Sequence, residues 1–207
     1  MVQALLAGGD PAQTQAVEGA EDRYDTGRAD FLALNPTAHD VVVGIAASGT
    51  TPYVLGVLDA ANEIGAKTIA IACNAPAPIL ERASIKIAVL VGPEVITGST
   101  RMKAGTAQKM ILNMLSTASM IKLGKVYGNL MVDVRVTNQK LANRARGIVA
   151  EVVGLGQEEA ARLLQMTNNE VKTAIVVGLL NIPVEEARQR LSDNRGMLRN
   201  VIELPLE

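Results

Sequence analysis

An unbroken apolar run in the first quarter of the chain most narrowly limits what this sequence can fold into. The run is Val41–Ile45, and it is followed by a small, hydroxylated segment and then by Pro52. Such a run predicts a strand that is buried on both faces. Proline suits the first position of a helix because its missing N–H would have no partner there. The sequence therefore predicts a strand, a loop and the N-terminus of a helix, in that order.

The loop between this strand and this helix is suited to hold a phosphate group. Backbone N–H groups at a helix N-terminus are unpaired and carry partial positive charge, and Ser48, Thr50 and Thr51 add hydroxyl donors. The same residue types are common where they only cap a helix, and their spacing does not separate the two interpretations. The segment lacks the Gly-Lys-Ser/Thr ending of a P-loop and the glycine spacing of a dinucleotide fingerprint.

Composition and charge exclude several classes of protein. The 207 residues suffice for one substantial domain with a small addition, and aromatic residues make up only 2% of them, so the core must consist mainly of aliphatic side chains. A net charge of −1 gives no general attraction to nucleic acid or to an anionic membrane. No apolar run is long enough to span a bilayer, and the N-terminus does not look like a signal peptide.

The single cysteine, Cys73, and the single histidine, His39, argue against an internal disulfide and against a conventional zinc site. We therefore expect a cytoplasmic protein that uses no metal and no cofactor and has no nucleic-acid or membrane partner.

Predicted strands and helices alternate over the first 91 residues. The predicted strands are residues 1–7, 41–45, 67–73 and 85–91, and the main predicted helices are residues 11–22, 52–64 and 79–83. This alternation predicts an α/β fold with a doubly wound parallel sheet of about four strands. Ligands of such sheets bind at the carboxyl ends of the strands.

A second polar loop, residues 92–106, leads into a long helix that is predicted to end near Leu123. Its first turn is polar and either binds a polar ligand or is only a capped, solvated helix start. The apolar residues further along follow helical spacing, and we expect them to be core. They are Ala107, Met110, Ile111, Met114, Ala118 and Ile121.

The rest of the chain is predicted to be mainly helical. Residues 125–133 are expected to form an extended connection, a helix is expected over 137–153, and three or four short helices follow Gly154. The predicted organisation is an α/β domain over residues 1–135 and a helical region over 136–207, with a small helical subdomain from about residue 154.

Several of these segments together closely resemble the N-acetylmuramic acid 6-phosphate etherases. The resemblance covers essentially the whole chain, and the motifs occur in the family's order. More distantly, the central loop and the second polar loop are similar to the sugar isomerase (SIS) domain of glucosamine-6-phosphate synthase. The motifs are EGAED at 18–22, ASGTTPY at 47–53, CN at 73–74, GPEV at 92–95, GSTRMKAGTAQK at 98–109 and KVYGNLMVD at 125–133.

The resemblance implies a cytoplasmic homodimer with a SIS-type fold that takes part in bacterial cell-wall recycling. The family converts N-acetylmuramic acid 6-phosphate and water to N-acetylglucosamine 6-phosphate and D-lactate, and needs no metal or cofactor. Glu21 matches one of two catalytic glutamates and is expected to be the base that removes the carbon 2 proton. Burial or the neighbouring Asp22 is expected to raise its pKa. The expected phosphate ligands are Ser48, Gly49, Thr50 and Thr51, and Glu94 and Ser99 are expected to line the sugar site.

The sequence also departs from the family pattern. Family members carry a further N-terminal segment with another strand, another phosphate-contacting loop and the second catalytic glutamate, and the printed sequence begins after the matching point. Thr50 stands where family members usually have arginine. Two alternatives to the etherase therefore stay open: a phosphosugar-binding module without catalysis, similar to the glucokinase regulatory proteins, or an inactive fragment of the etherase. An aldose–ketose isomerase fits the motifs at 18–22 and 125–133 less well.

Overall fold

Residues 2–203 are described by a computed structural model, in which the chain divides into one unit that runs up to Asn113 and a second that begins at Met114. No helix in this described part is long and apolar enough to cross a membrane.

The first unit is organised around three parallel strands in the order β1 (Val41–Ile45), β2 (Lys67–Ala72) and β3 (Ile85–Ala88). Val43 lies opposite Ile69, and Ile69 lies opposite Ile85. The predicted α/β fold with a parallel sheet is confirmed.

Helices connect these strands and cover them. They are α1 (Tyr24–Ala33), α2 (Pro52–Glu63), α3 (Pro78–Arg82) and α4 (Lys103–Lys122), which begins in the first unit and ends in the second. Helix α2 starts at a proline, as its sequence predicts, and packs closely on β1: a Cβ atom at Gly44 of the strand would lie 2.9 Å from the Leu58 side chain. The missing side chain at Gly44 leaves room for Val54 and Leu58 of the helix.

The N-terminal segment differs from its prediction. Residues 2–7 form no strand, so the sheet within residues 2–203 has three strands and not four. The helix predicted over 11–22 is only a short 3-10 turn, Asp10–Gln13, followed by turns. An apolar run becomes a strand only where a neighbouring edge pairs with it, and here Val2, Leu5 and Leu6 are exposed.

The apolar side of α4 also differs from its prediction. The helix has the predicted length, but among its residues only Ala104 is buried, and Met110, Met114 and Ile121 are exposed. The prediction that this stripe is core is therefore wrong. Helical spacing shows which residues share a side of the helix, but not which part of the molecule covers that side.

The second unit begins with the end of α4 and a small hairpin. Strands β4 (Val126–Tyr127) and β5 (Leu130–Met131) pair antiparallel, where the sequence predicted only an extended connection. Gly128, at φ 57°, lies in the two-residue turn. Five helices follow in the part of the chain up to residue 203, and the prediction of three or four short helices after Gly154 is confirmed. They are α5 (Gln139–Val153), α6 (Gln157–Met166), α7 (Val171–Leu180), α8 (Val184–Asp193) and α9 (Leu198–Ile202).

The last four helices form two copies of one helix-turn-helix unit. Helix α8 repeats α6 twenty-seven residues further along, and α9 repeats the start of α7 in the same way. The turns match in detail: the Asn169 amide donates to the Leu164 carbonyl and the Gly196 amide to the Leu191 carbonyl, both at 2.7 Å. The two copies pack into one apolar core, in which Ala160 and its counterpart Ala187 are fully buried.

Candidate functional site

The loop after β1 turns sharply at Gly49. The residue has φ 75°, and a Cβ atom there would lie 2.3 Å from the Cβ of Ala77, which is 3% exposed. Its amide donates to the Ala46 carbonyl at 3.1 Å, and its carbonyl accepts from the Ile79 amide at 3.0 Å. No residue with a side chain fits here without moving the backbone. Gly49 thus shapes the loop, while its own N–H is used internally.

The hydroxyl groups of the loop are close together. Ser48 Oγ accepts from the Thr50 amide at 3.3 Å and from Thr50 Oγ1 at 3.1 Å, and Ser48 and Thr50 are both exposed. Each hydroxyl oxygen can bind further groups, and the Ser48 hydroxyl hydrogen can be donated outward.

Three backbone amides in the loop and at the start of α2 donate to no acceptor within residues 2–203. They are those of Ser48, Thr51 and Val54. Together with the helix dipole they give this end of α2 a partial positive charge. This is the arrangement that binds a phosphate or a carboxylate at a helix N-terminus.

Glu21 lies beside the same end of α2. Its carbonyl accepts from the Tyr53 amide at 3.0 Å, and Tyr53 is the second residue of the helix. The Glu21 side chain is exposed, so the expected burial of this carboxylate is not seen. The two sequence segments that were expected to act together are thus joined by a direct backbone hydrogen bond.

A cavity of about 480 Å³ opens at the carboxyl ends of β1 and β2. It brings together Ser48, Glu94 and Thr100, whereas Glu21, Thr50, Thr51 and Ser99 are not among its lining residues in the described part of the chain. The full lining consists of Ala47, Ser48, Cys73, Asn74, Ala75, Leu90, Val91, Gly92, Pro93, Glu94, Thr100 and Ala104.

Glu94 caps helix α4 from the cavity wall. Its carboxylate accepts from the amides of Lys103 and Ala104, both at 3.1 Å, and Lys103 Nζ donates to the Pro93 carbonyl at 2.9 Å. The hydrogen bond from the Ala104 amide, followed by that from Lys103, holds the pKa of Glu94 below its usual range. The carboxylate is therefore ionised at neutral pH and can accept hydrogen bonds from sugar hydroxyls. Ser99, by contrast, accepts from Arg101 Nε at 2.9 Å.

Cys73 and Asn74 line this cavity, although the sequence analysis assigned them no role in a site. They stand directly after β2, at the sheet edge where ligands bind, and that position was the available signal. Burial raises the pKa of the Cys73 thiol, and the charge of Glu94 raises it further. The thiol is therefore neutral at pH 7 and is not an activated nucleophile. Among residues 2–203, no group of three or more His, Cys, Asp or Glu side chains is placed to hold a metal ion.

The sequence is similar to known proteins over nearly all of its length. The family model of the glucokinase regulatory protein N-terminal SIS domain matches residues 1–62. The chain is 54% identical to N-acetylmuramic acid 6-phosphate etherase 2 of Lactiplantibacillus plantarum over 202 residues, which is 98% of this chain and 68% of the relative.

Two further etherases give the same result. The chain is 54% identical to N-acetylmuramic acid 6-phosphate etherase of Brucella anthropi and 52% identical to that of Pectobacterium atrosepticum, over 98% of this chain in each case and over 66% and 67% of the relatives. It thus spans about two thirds of the length of these curated relatives. At this identity over nearly its whole length, the chain belongs to the N-acetylmuramic acid 6-phosphate etherase family.

Proposed function

We propose that this chain binds N-acetylmuramic acid 6-phosphate and carries the base that starts cleavage of its lactyl ether. The products are N-acetylglucosamine 6-phosphate and D-lactate. The observation that supports this most strongly is the hydrogen bond from the Tyr53 amide to the Glu21 carbonyl, because it holds the expected base beside residues 48–51, which we call the phosphate loop.

The reaction can be understood from the substrate alone. A simple ether resists hydrolysis because an alkoxide is a poor leaving group. Opening of the sugar ring exposes an aldehyde at carbon 1, which makes the carbon 2 proton acidic and places the lactyl oxygen β to a carbonyl. A base removes that proton, the electron pair forms the carbon 2–carbon 3 double bond, and the lactyl oxygen leaves with a proton. Water then adds its oxygen to carbon 3 and a proton returns to carbon 2.

The residues of the first unit divide these tasks. The free amides at the start of α2 and the Ser48, Thr50 and Thr51 hydroxyls bind the phosphate, while the Gly49 backbone shapes the turn that presents them. Glu21 is the carbon 2 base. Glu94, which is ionised, and Ser99 contribute to the sugar site, where a carboxylate suits the sugar hydroxyls as an acceptor.

The acid that protonates the departing lactyl oxygen is a separate group. A general acid must hold its proton at working pH, which requires a raised pKa. Glu94 has a lowered pKa and is therefore unsuited to this role. In the family pattern the acid–base pair is completed by a second glutamate.

D-Lactate release tests the proposal. The chain incubated with N-acetylmuramic acid 6-phosphate should release D-lactate, and Glu21→Gln should lower the rate by about 10² to 10⁴-fold. The substrate should raise the melting temperature of both proteins equally, because the glutamine leaves the phosphate loop intact. Asp25→Asn, which changes an exposed carboxylate in the first turn of α1, is the matched control and should keep full activity.

One observation favours a second candidate, a phosphosugar-binding module without catalysis. Residues 1–62 match a domain of glucokinase regulatory protein, and this range includes both Glu21 and the phosphate loop. A raised melting temperature with no D-lactate from the parent protein would support this candidate over the etherase.

Three finer expectations complete the proposal. The alternation of β1, α2, β2, α3 and β3 with a parallel order supports a doubly wound sheet. The exposed apolar side of α4 supports a homodimer, since such a surface is usually covered by another protein surface. The family's chemistry supports a role in cell-wall recycling in the cytoplasm.

A further inference from the structure

Helices α1 and α2 interlock through the same three residue types. Each helix carries a tyrosine, then a glycine three positions later, then an aspartate after three more. We call the six residues the α1–α2 clasp: Tyr24, Gly27 and Asp30 in α1, and Tyr53, Gly56 and Asp59 in α2.

The glycines let the two backbones touch. A Cβ atom at Gly27 would lie 2.2 Å from the Tyr53 carbonyl oxygen, and one at Gly56 would lie 2.2 Å from the Tyr24 carbonyl oxygen. Both contacts involve the first five residues of each helix. The helices therefore cross at their N-terminal ends, where Glu21 and the phosphate loop also lie.

Each of the two tyrosines donates a hydrogen bond to the other helix. Tyr53 Oη donates to Asp30 at 2.8 Å, and Tyr24 Oη donates to Asp59 at 2.9 Å. Tyr53 is only 2% exposed, and this burial, followed by the bond to Asp30, raises the pKa of its hydroxyl. The hydroxyl therefore keeps its proton at neutral pH and can donate it to Asp30.

The Tyr53 amide connects the clasp to Glu21. Pro52, the first residue of α2, has no N–H, and an amide at the second position has no acceptor inside its own helix. The Tyr53 amide donates instead to the Glu21 carbonyl at 3.0 Å. One buried residue thus contacts α1 through its hydroxyl and its carbonyl oxygen, and the Glu21 segment through its amide.

We propose that the α1–α2 clasp fixes Glu21 at a set distance from the phosphate loop, with Tyr53 as the positioning residue. The proposal rests on the proposed function, because positioning affects the rate only if Glu21 removes a proton from a sugar held by the loop. A displacement of about 1 Å in such a geometry costs about 10²-fold in rate.

Hydrogen exchange at the Tyr53 amide tests the clasp without any activity. In Gly27→Ala the added methyl group pushes α1 away from Tyr53, and the amide should exchange at least tenfold faster than in the parent. Gly147→Ala is the matched control, because an added Cβ at this helical glycine would meet no heavy atom within 4 Å apart from its own stretch of helix backbone, and the Tyr53 amide should be unaffected. An unchanged rate in folded Gly27→Ala would overturn the proposal. If Gly27→Ala does not fold, hydrogen exchange at the residue 53 amide is measured in Tyr53→Phe, which removes only the hydroxyl. A tenfold faster exchange would support the proposal, and an unchanged rate would overturn it.

A kinetic comparison tests the positioning. Tyr53→Phe should lower kcat at least tenfold while KM stays within twofold, because the phosphate loop is intact. Tyr127→Phe, which loses only an exposed 3.4 Å contact with Glu203, should change neither value. A raised KM at unchanged kcat, or no effect, would contradict the positioning role. If the parent releases no D-lactate, the proposed activity of this chain fails, and the exchange measurement alone decides whether the clasp holds the Glu21 segment.

Discussion

The internal packing of the first unit differs from that of the second unit. In the first unit, backbone meets backbone or a small side chain at Gly27, Gly49 and Gly56, and the buried residues form two separate clusters rich in alanine. In the second unit, the hairpin and the helices from α5 to α9 share one continuous core of larger aliphatic side chains.

The difference shows where precision is needed. Backbone contacts at glycine allow almost no adjustment, because neither partner can change rotamer, whereas an aliphatic core tolerates small movements of its side chains. The first unit carries Glu21 and the proposed phosphate loop, and in the proposed mechanism their separation sets the rate of proton removal. The repeated helices of the second unit contribute packing and contain none of the proposed site residues.

Two glycines with the same backbone conformation can break this comparison. Gly49 has φ 75° and Gly154 has φ 78°, but a Cβ atom would meet Ala77 at 2.3 Å in the first case and nothing within 4 Å in the second. Gly49→Ala should cost about 2–4 kcal/mol of unfolding free energy, from backbone strain and overpacking together. Gly154→Ala should cost about 1 kcal/mol, from strain alone. If urea unfolding gave the same loss of free energy for both variants, the contact with Ala77 would not be what restricts position 49.

In the second unit, Asp133 tests how much an ion pair with lysines adds to the stability given by the aliphatic core. Burial alone would raise the pKa of Asp133, but the hydrogen bond from Lys125 and the charge of Lys172 together lower it. Since its folded pKa lies below its unfolded pKa, the carboxylate stabilises the fold above the unfolded value, and this contribution is lost as pH falls through the folded pKa. Asp133→Asn should cost about 1 kcal/mol at pH 7.

The pH dependence provides the control for this prediction. The stabilities of the parent and of Asp133→Asn, measured by denaturant unfolding, should converge as the pH falls, because protonation removes the same charge that the substitution removes. A difference that stays constant down to low pH would contradict the role given to the two lysines.

The exposed side of α4 gives the smallest effect on stability. Met110 and Met114 are 49% and 60% exposed, so replacing both with glutamate should change the unfolding free energy of the isolated chain by less than about 0.5 kcal/mol. If this side forms the proposed homodimer, the double variant should have half the mass of the parent in light scattering. Gln108→Glu, on the same helix but outside the stripe, should leave the mass unchanged. A monomeric parent would contradict the homodimer.

Sequence reasoning succeeded where local signals decide the structure. The apolar run, the turn and Pro52 specify β1, its loop and the start of α2, because burial, turn formation and helix initiation each act over a few residues. It failed for residues 1–7 within the described part and for the burial of α4. In both cases the apolar residues were identified correctly. Whether they form a strand or are buried depends on a neighbouring part of the protein, which the local sequence does not specify.

Two further features were visible in the sequence and were missed. The clasp appears in the sequence as the same pattern in two helices, with tyrosine, glycine and aspartate at three-residue intervals. A glycine in a helix, however, predicts a close approach of two helices only once the partner helix is known. The paired helix-turn-helix units are separated by a constant offset, with Glu158-Glu159-Ala160 returning as Glu185-Glu186-Ala187. A search for self-similarity at short period would have found the second feature.

The proposed reaction requires that the start of α2 binds the phosphate beside Glu21, and amide chemical shifts test this most directly. On titration of the ¹⁵N-labelled chain with N-acetylglucosamine 6-phosphate, the amides of Ser48, Thr51 and Val54 should shift most, because their N–H groups are free to donate. The Glu21 amide should also respond, while that of Gly154 in the second unit should not. Saturable shifts of other amides without shifts of these three, or no shifts at all, would contradict phosphate binding at the start of α2.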